Sequence, residues 1–297
     1  MNATETKSEI YTTNLTQGLM LAAISVAAFG LTLPMTQLAV AEMAPAMIGF
    51  GRSLVAGVIA LLLLRVLKVP LPTGRQWRLL AVVAMGNVIG FPLLTAIAMQ
   101  TVPASHGGVV IALLPLATAI CGSLMTAERN KIGFWVCSAA GALVVSGYAI
   151  SDTDGQLQTG DIWLALAVVI AGISYAMGGK LSREMPGWQV ICWALVLSLP
   201  VTATVSLYDY QAWWTIESAV TWGSFLYLAL VSQLGGFFLW NKALAVGGVT
   251  RASQVQLLQP TVTLAASALL LGEVVPTSTW GVALVVAALV ALGLRLR

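Results

Sequence analysis

Residues 98–135, AMQTVPASHGGVVIALLPLATAICGSLMTAERNKIGFW, and residues 243–280, ALAVGGVTRASQVQLLQPTVTLAASALLLGEVVPTSTW, align without a gap at one offset, 243 − 98 = 145. Pro115 falls on Pro260, Glu128 on Glu273, Trp135 on Trp280, Ser105 on Thr250 and Ala98 on Ala243. Near the start of each half Phe29 pairs with Tyr175, at 175 − 29 = 146. In both copies a long apolar run carries a central proline and ends at a glutamate. The chain therefore reads as a duplication, and each half must supply the elements that complete this unit.

Outward from these copies, apolar runs recur at about the 20 residues that a bilayer core demands. They fall at approximately 17–40, 46–67, 77–99, 104–126, 131–150, 161–180, 188–208, 219–241, 252–272 and 278–296. Five spans per half is an odd number, so the second half enters the membrane from the opposite side, as an inverted-topology repeat. The expected fold is an all-α integral membrane protein of ten transmembrane helices, arranged as two inverted five-helix repeats. Residues 1–16 read as a polar cytoplasmic tail, 17–151 as the first repeat, 152–160 as an outer linker and 161–297 as the second repeat. Connections are short and leave no room for a soluble domain. Ala39-Val40-Ala41 resembles a signal-peptidase site. The run before it exceeds the roughly 7–15 residues of a signal core and contains Pro34, Thr36 and Gln37, so it reads as a retained helix.

Composition agrees. Of 297 residues, 59% are hydrophobic and 8% charged, with a mean hydropathy of +0.91. A soluble surface needs about 25% charged residues, so most of this exterior faces lipid. With the N-terminus in the cytoplasm, the inner segments receive Lys7, Arg65, Lys68, Arg75, Arg78, Arg129, Lys131, Lys180, Arg183, Lys242, Arg251, Arg295 and Arg297. The outer loops receive Glu42, Asp152, Asp154, Asp161, Asp209, Glu217 and Glu273, and no Lys or Arg. Positive charge stays inside throughout. The expected location is a bacterial inner membrane, multi-pass, with both termini cytoplasmic.

Several classes find no support. No basic stripe suggests nucleic acid. Cys121, Cys137 and Cys192 lie in apolar runs without redox or metal spacing, and a single histidine, His106, cannot build a histidine metal site, so no cofactor or metal is expected. Asp152-Thr153-Asp154 sits in an outer loop as solvated charge, and there is no HExxH pattern; both argue against an intramembrane enzyme. A channel would not need inverted repeats.

Polar residues at membrane depth are costly and therefore informative. Ser253, Gln256, Pro260, Thr263 and Ser267 recur at spacings of three and four along span nine and share one face, flanked by Gln254 and Gln259. Glutamine both donates and accepts, which suits a zwitterion; interhelical polar packing is the alternative. The matching stripe on span four, Gly108, Ile111, Pro115, Thr118 and Gly122, is less polar, so the second half should supply more hydrogen bonds. Pro115 and Pro260 each remove an intrahelical bond and should bend their helix, as gates or as fixed curvature. Arg52 alone among fourteen Lys and Arg residues lies within a span, about 10 Å deep by helical rise. It would hold a substrate carboxylate, or else snorkel outward or pair with Glu42. Asn87 and Phe91 lie one turn apart beside Gly86 and Gly90, a small-residue pair that favours close helix contact within the fold. Tyr175, Trp193 and Trp240 would supply apolar walls, or serve as membrane belts. The candidate substrate-binding set is Arg52, Asn87, Phe91, Tyr175, Trp193, Trp240, Gln256, Gln259 and Thr263, with Pro115 and Pro260 as kinks. No carboxylate lies at membrane depth, so proton coupling would fall to His106 or to a span-end glutamate; a facilitator or exchanger fits as well.

The pattern Ala98-Met99-Gln100, Ala104-Ser105, Pro115, Glu128, repeated as Ala243-Leu244-Ala245, Val249-Thr250, Pro260, Glu273, with Pro45 and Arg52 early in span two, resembles the drug/metabolite transporter superfamily in its ten-helix EamA-type branch. The resemblance covers essentially the whole chain after residue 16. It implies secondary export of small metabolites by alternating access, with amino acids, aromatic or otherwise neutral, as the favoured cargo. Drugs, nucleosides and organic acids are the alternatives. It also implies that spans five and ten are peripheral and that spans one to four and six to nine enclose the cavity. The partners expected are a small-molecule substrate and the lipid bilayer, with a monomer as the basic unit and a dimer as the alternative.

Overall fold

A computed structural model of the chain describes residues 3–126, 131–151, 158–208, 210–247 and 255–296. Among them every regular element is helical. Eight helices are long and apolar enough to cross a membrane: α1 (Thr16–Ala39), α2 (Met47–Val66), α3 (Gly74–Ala98), α4 (Ala104–Leu124), α5 (Ile132–Ser151), α6 (Thr159–Leu181), α7 (Gly187–Tyr208) and α8 (Ala219–Ala243). Two shorter apolar helices, α9 (Gln256–Leu271) and α10 (Thr277–Gly293), complete the ten. Each matches one span read from the sequence.

The boundaries have local causes. Helix α3 starts at Gly74 because Thr73 and Gln76 cap it reciprocally: the Gln76 amide donates to Thr73 Oγ1 (3.4 Å) and the Thr73 amide to Gln76 Oε1 (2.9 Å). Gly272, with φ of 67°, takes the left-handed conformation that ends α9. The helix leading into α1 already begins at Ala3, so the backbone of the polar N-terminal stretch continues the first span.

Exchanging the halves (α1 with α6, α2 with α7, and so on to α5 with α10) maps the principal helix pairs onto one another, while some smaller contacts, such as that of α4 with α10, have no comparable equivalent. Helix α1 packs on α8 as α6 packs on α3, and α9 packs on α1 as α4 packs on α6. Helices α2, α4 and α5 pack on their own counterparts α7, α9 and α10. Two inverted repeats interlocked about a pseudo-twofold axis produce this scheme. Side chains follow it. Ser25 Oγ donates to the Gly236 carbonyl (3.0 Å) between α1 and α8, and Ser174 Oγ to the Val83 carbonyl (3.1 Å) between α6 and α3. A Cβ built on Gly86 would lie 2.4 Å from Ser174 Cβ, so the Gly86–Gly90 pair serves close helix contact inside the fold.

One end of the bundle is acidic and the other basic. At the acidic end Glu42 Oε2 accepts the Glu217 and Ser218 amides (3.2 Å each) at the start of α8. There too the Glu273 carboxylate accepts the Ala104 and Ser105 amides (3.1 Å each) at the start of α4. At the basic end Arg75 Nη1 pairs with Glu184 Oε1 at 3.0 Å. Both carboxylate caps cross from one half to the other, where helix N-terminal amides need acceptors.

The helices that line the centre are irregular at matching depths. Helix α3 widens to a π-helix at Ala84–Gly90 and α8 at Tyr227–Gly235, and 90 + 145 = 235 joins their ends. Helix α4 breaks at residues 112–113 and resumes at Leu114, while α9 opens with a 3-10 turn, Gln256–Leu258, before its α-helix starts at Gln259. Pro115 and Pro260 stand second in the resumed α-helices, where a missing N–H costs nothing.

Candidate functional site

The irregular segments converge on a cavity between the halves. The space between protein atoms there, counted out into its solvent opening, is about 800 Å³. Helices α1, α2, α3, α4, α6, α8 and α9 line it, and α10 adds Ala287. Helix α7 contributes no lining residue.

Arg52 opens the α-helical part of α2, directly after the π-turn Met47–Gly51. It is 2% exposed, and neither Nε nor Nη1 has a hydrogen-bond partner. Glu42, its alternative partner from the sequence, is committed to the amides of α8 instead. No carboxylate pairs with Arg52 among the described residues. A buried cation without a counter-charge is expensive, and this one lines a cavity.

Asn87 sits in the π-segment of α3, and its Oδ1 also lacks a partner. A π-turn frees backbone carbonyls from their usual α-helical acceptance. Here Ser53 Oγ donates to the Val88 carbonyl (2.6 Å) and Gln233 Nε2 to the Asn87 carbonyl (3.2 Å). The widened turn is thereby braced from α2 and from α8, while the Asn87 side chain stays on the cavity wall. A guanidinium donor and an amide oxygen acceptor, both unspent, thus line one space.

The remaining wall is aromatic. Phe237 meets Phe29 at a centroid distance of 5.1 Å and Tyr175 at 6.1 Å, with Tyr175 edge-on at 89°. Phe29 and Tyr175 are the repeat pair noted above, so each half sends one ring to Phe237. Phe91 lines the cavity as well.

On α9 the polar face points inward: Gln256, Pro260, Thr263 and Ser267 are all buried. Gln256, Gln259, Pro260 and Thr263 line the cavity, as does Pro115 on α4. The Thr263 hydroxyl is engaged, donating to the Gly30 carbonyl (2.8 Å) and the Gln259 carbonyl (3.1 Å). Ser253 and Gln254 lie outside the described residues.

Two expected wall residues stand elsewhere. Trp193 turns its ring edge-on to Trp77 at 5.5 Å, in the core between α7 and α3. Trp240 stands edge-on to Phe29 at 6.4 Å, behind the aromatic wall. Sequence reading also passed over lining residues, chiefly Gln233, Phe237 and Ser232, the last hydrogen-bonded to Thr32 at 2.9 Å. Gln233 carried a usable signal, being a glutamine in the middle of an apolar span.

A second polar cluster lies outside the cavity lining. His106 Nε2 and Asp161 Oδ1 stand 2.6 Å apart, with the residues 1% and 7% exposed. Asp161 Oδ2 accepts the Gln158 amide at 2.9 Å, capping α6. Asp161, assigned to an outer loop from the sequence, is therefore a buried residue in the first turn of α6.

The sequence model described as the EamA-like transporter family matches residues 16–150 and again 158–295. The chain is 44% identical over 237 residues, 80% of its own length and 83% of the relative's, to a Bacillus subtilis (strain 168) protein named "Uncharacterized transporter YdeK". It is 26% identical over 236 residues, 77% of each chain, to the "Probable terminal-alkyne amino-acid exporter" of Streptantibioticus cattleyicolor. One solved crystal structure superposes with a TM-score of 0.62 at 13% identity, covering 94% of this chain and 98% of the other, a likeness of fold.

Proposed function

The chain belongs to the EamA-like transporter family, and from that premise we propose that it exports neutral amino acids with apolar or aromatic side chains across a bacterial inner membrane. The observation that carries this reading is the pair of residues with unspent polar atoms that line one cavity: Arg52, through Nε and Nη1, and Asn87, through Oδ1. A carboxylate takes the planar guanidinium by charge-assisted bonds. An ammonium group, with three donors and no acceptor, takes the amide oxygen. The Phe29, Phe237 and Tyr175 wall accepts the apolar side chain, and its rings offer aromatic cargo partners to pack against. Gln256 and Gln259 offer donors and acceptors that adapt to either pole.

Alternating access places such a site near the midplane between inverted repeats. The breaks ahead of Pro115 and Pro260, and the π-turns of α3 and α8, are the joints about which the two ends would open in turn. The distant amino-acid exporter relative supports the cargo class. Positive charge concentrated on one set of loops supports the orientation, with the basic end cytoplasmic.

Counterflow in proteoliposomes tests the assignment, since a carrier shows trans-stimulation by its own cargo. Unlabelled phenylalanine inside the vesicles should accelerate uptake of labelled phenylalanine, whereas 3-phenylpropionate and 2-phenylethylamine, each lacking one charge, should not. A second reading, monocarboxylate export, draws on Arg52 alone. It would be favoured if 3-phenylpropionate drove counterflow as well as phenylalanine. If no amino acid stimulated uptake, the proposal would fail.

A further inference from the structure

We infer that the His106–Asp161 pair carries a proton exchanged for the cargo, and that loading it holds the acidic end of the bundle shut. The inference rests on the exporter reading and supplies its coupling.

His106 is the chain's single histidine. It lies in the first turn of α4, two residues before Gly108 of the cavity wall. The adjacent Gly107 packs against Leu33, also a wall residue; a Cβ there would lie 3.0 Å from it. Three helices or linkers hold this turn at once. Asp161 of α6 meets the imidazole, Glu273 after α9 accepts the Ala104 and Ser105 amides, and Gln37 Oε1 of α1 also accepts the Ala104 amide. The first turn of α4 is thus a clasp joining both halves at the acidic end.

Among the described residues, charged and titratable groups reach it from three elements. From α6 comes Asp161, and from the α9–α10 linker Glu273. From α5 comes Tyr148, whose ring lies 5.2 Å from the imidazole and whose hydroxyl donates to Thr279 of α10 (3.4 Å). Helix α1 presents the uncharged Gln37. Asp152 and Asp154 lie outside the described residues. No lysine or arginine pairs with these groups among the described residues.

With a neutral imidazole the described residues of the clasp hold carboxylates and no lysine or arginine. Uptake of one proton by the ring makes an imidazolium–carboxylate pair, whose charge-assisted bond is stronger than the neutral one. The proton arrives from the acidic-end medium and leaves through the cavity toward the basic end; no covalent bond between heavy atoms changes. Loaded, the pair keeps α4 docked on α6. Unloaded, with cargo in the cavity, the clasp releases and the acidic end opens. Proton and cargo therefore cross in alternation.

The full chain in proteoliposomes with a trapped pH dye is the test, with phenylalanine as the cargo probe. Adding phenylalanine to wild-type vesicles should move the dye signal. His106→Gln and Asp161→Asn should abolish that movement while phenylalanine counterflow continues. Asp161→Glu, which keeps the carboxylate, should retain the movement, a rescue that a purely structural role would not produce. Counterflow in wild type without any dye signal, or a dye signal undiminished in His106→Gln, would overturn the inference and leave the cargo reading intact. Loss of counterflow and dye signal together in both neutral variants would overturn it too, by placing the pair in cargo binding or folding. Absence of counterflow in wild type would overturn the cargo reading, and this inference with it.

Discussion

Replacing Arg52 by methionine should make the protein more stable and unable to transport. The guanidinium is buried, and its Nε and Nη1 have no partner. Leaving a buried polar group unsatisfied costs about 1–3 kcal/mol, so two such nitrogens put the strain at roughly 2–6 kcal/mol. Methionine keeps most of the volume of the arginine stem and adapts its shape, so little of that relief is lost to a new void. A gain of at least about 2 kcal/mol is expected, which at roughly 2 °C per kcal/mol for a chain of this order raises the unfolding midpoint by about 4 °C. Thermal unfolding of the cargo-free protein in detergent measures the gain, and phenylalanine counterflow measures the loss. Wild type should also be stabilised by added phenylalanine, through binding to the native state alone, and the variant should not. A cargo-free Arg52→Met protein that melted below wild type would refute the reasoning, because the guanidinium would then be holding the fold together.

Gly86→Ala should cost about 1–3 kcal/mol through overpacking, since the new Cβ would fall 2.4 Å from Ser174 Cβ and 2.9 Å from the Ile170 carbonyl oxygen. Adding Ser174→Gly should recover much of that, and strictly additive melting shifts in the double variant would show that the two sites do not touch. Thr263→Val removes a hydroxyl already committed to the Gly30 and Gln259 carbonyls; it should lower stability by about 1 kcal/mol. The phenylalanine concentration that half-saturates counterflow should stay as in wild type, and a marked rise would assign the hydroxyl to the cargo.

The ten helices were legible because lipid imposes one simple demand, a long apolar run for each crossing, and because the loop charges alternate with it. Arg52 and Asn87 were legible for the converse reason, as polar groups where lipid forbids them. Phase was harder to read. A π-turn inserts an extra residue, and one residue rotates the helix face by about 100°, so no 3.6-residue stripe runs unbroken through α3 or α8. Gln233 lies within such a turn in α8 and Phe237 just after it, and both were passed over. Trp193 and Trp240 show the complementary failure: an aromatic ring at membrane depth suits a cavity, a core or a lipid belt alike, and only tertiary packing turned these two toward Trp77 and Phe29. Asp161 looked like loop charge because a helix begins wherever its cap can be satisfied, and this carboxylate caps its own helix while meeting a histidine from another.

The carboxylate caps that cross between halves also set a timetable for biosynthesis. Ser105 leaves the ribosome 168 residues before Glu273, which receives its amide. At about 5–20 residues per second that is a delay of roughly 8–34 s. Ser25 waits longer still, 211 residues, for the Gly236 carbonyl. Until then the newly inserted first half has only water, lipid headgroups and the insertion machinery to satisfy those groups. Its early helices are held in the bilayer as spans without a settled arrangement, and the finished shape is fixed only when the last fifth of the chain arrives.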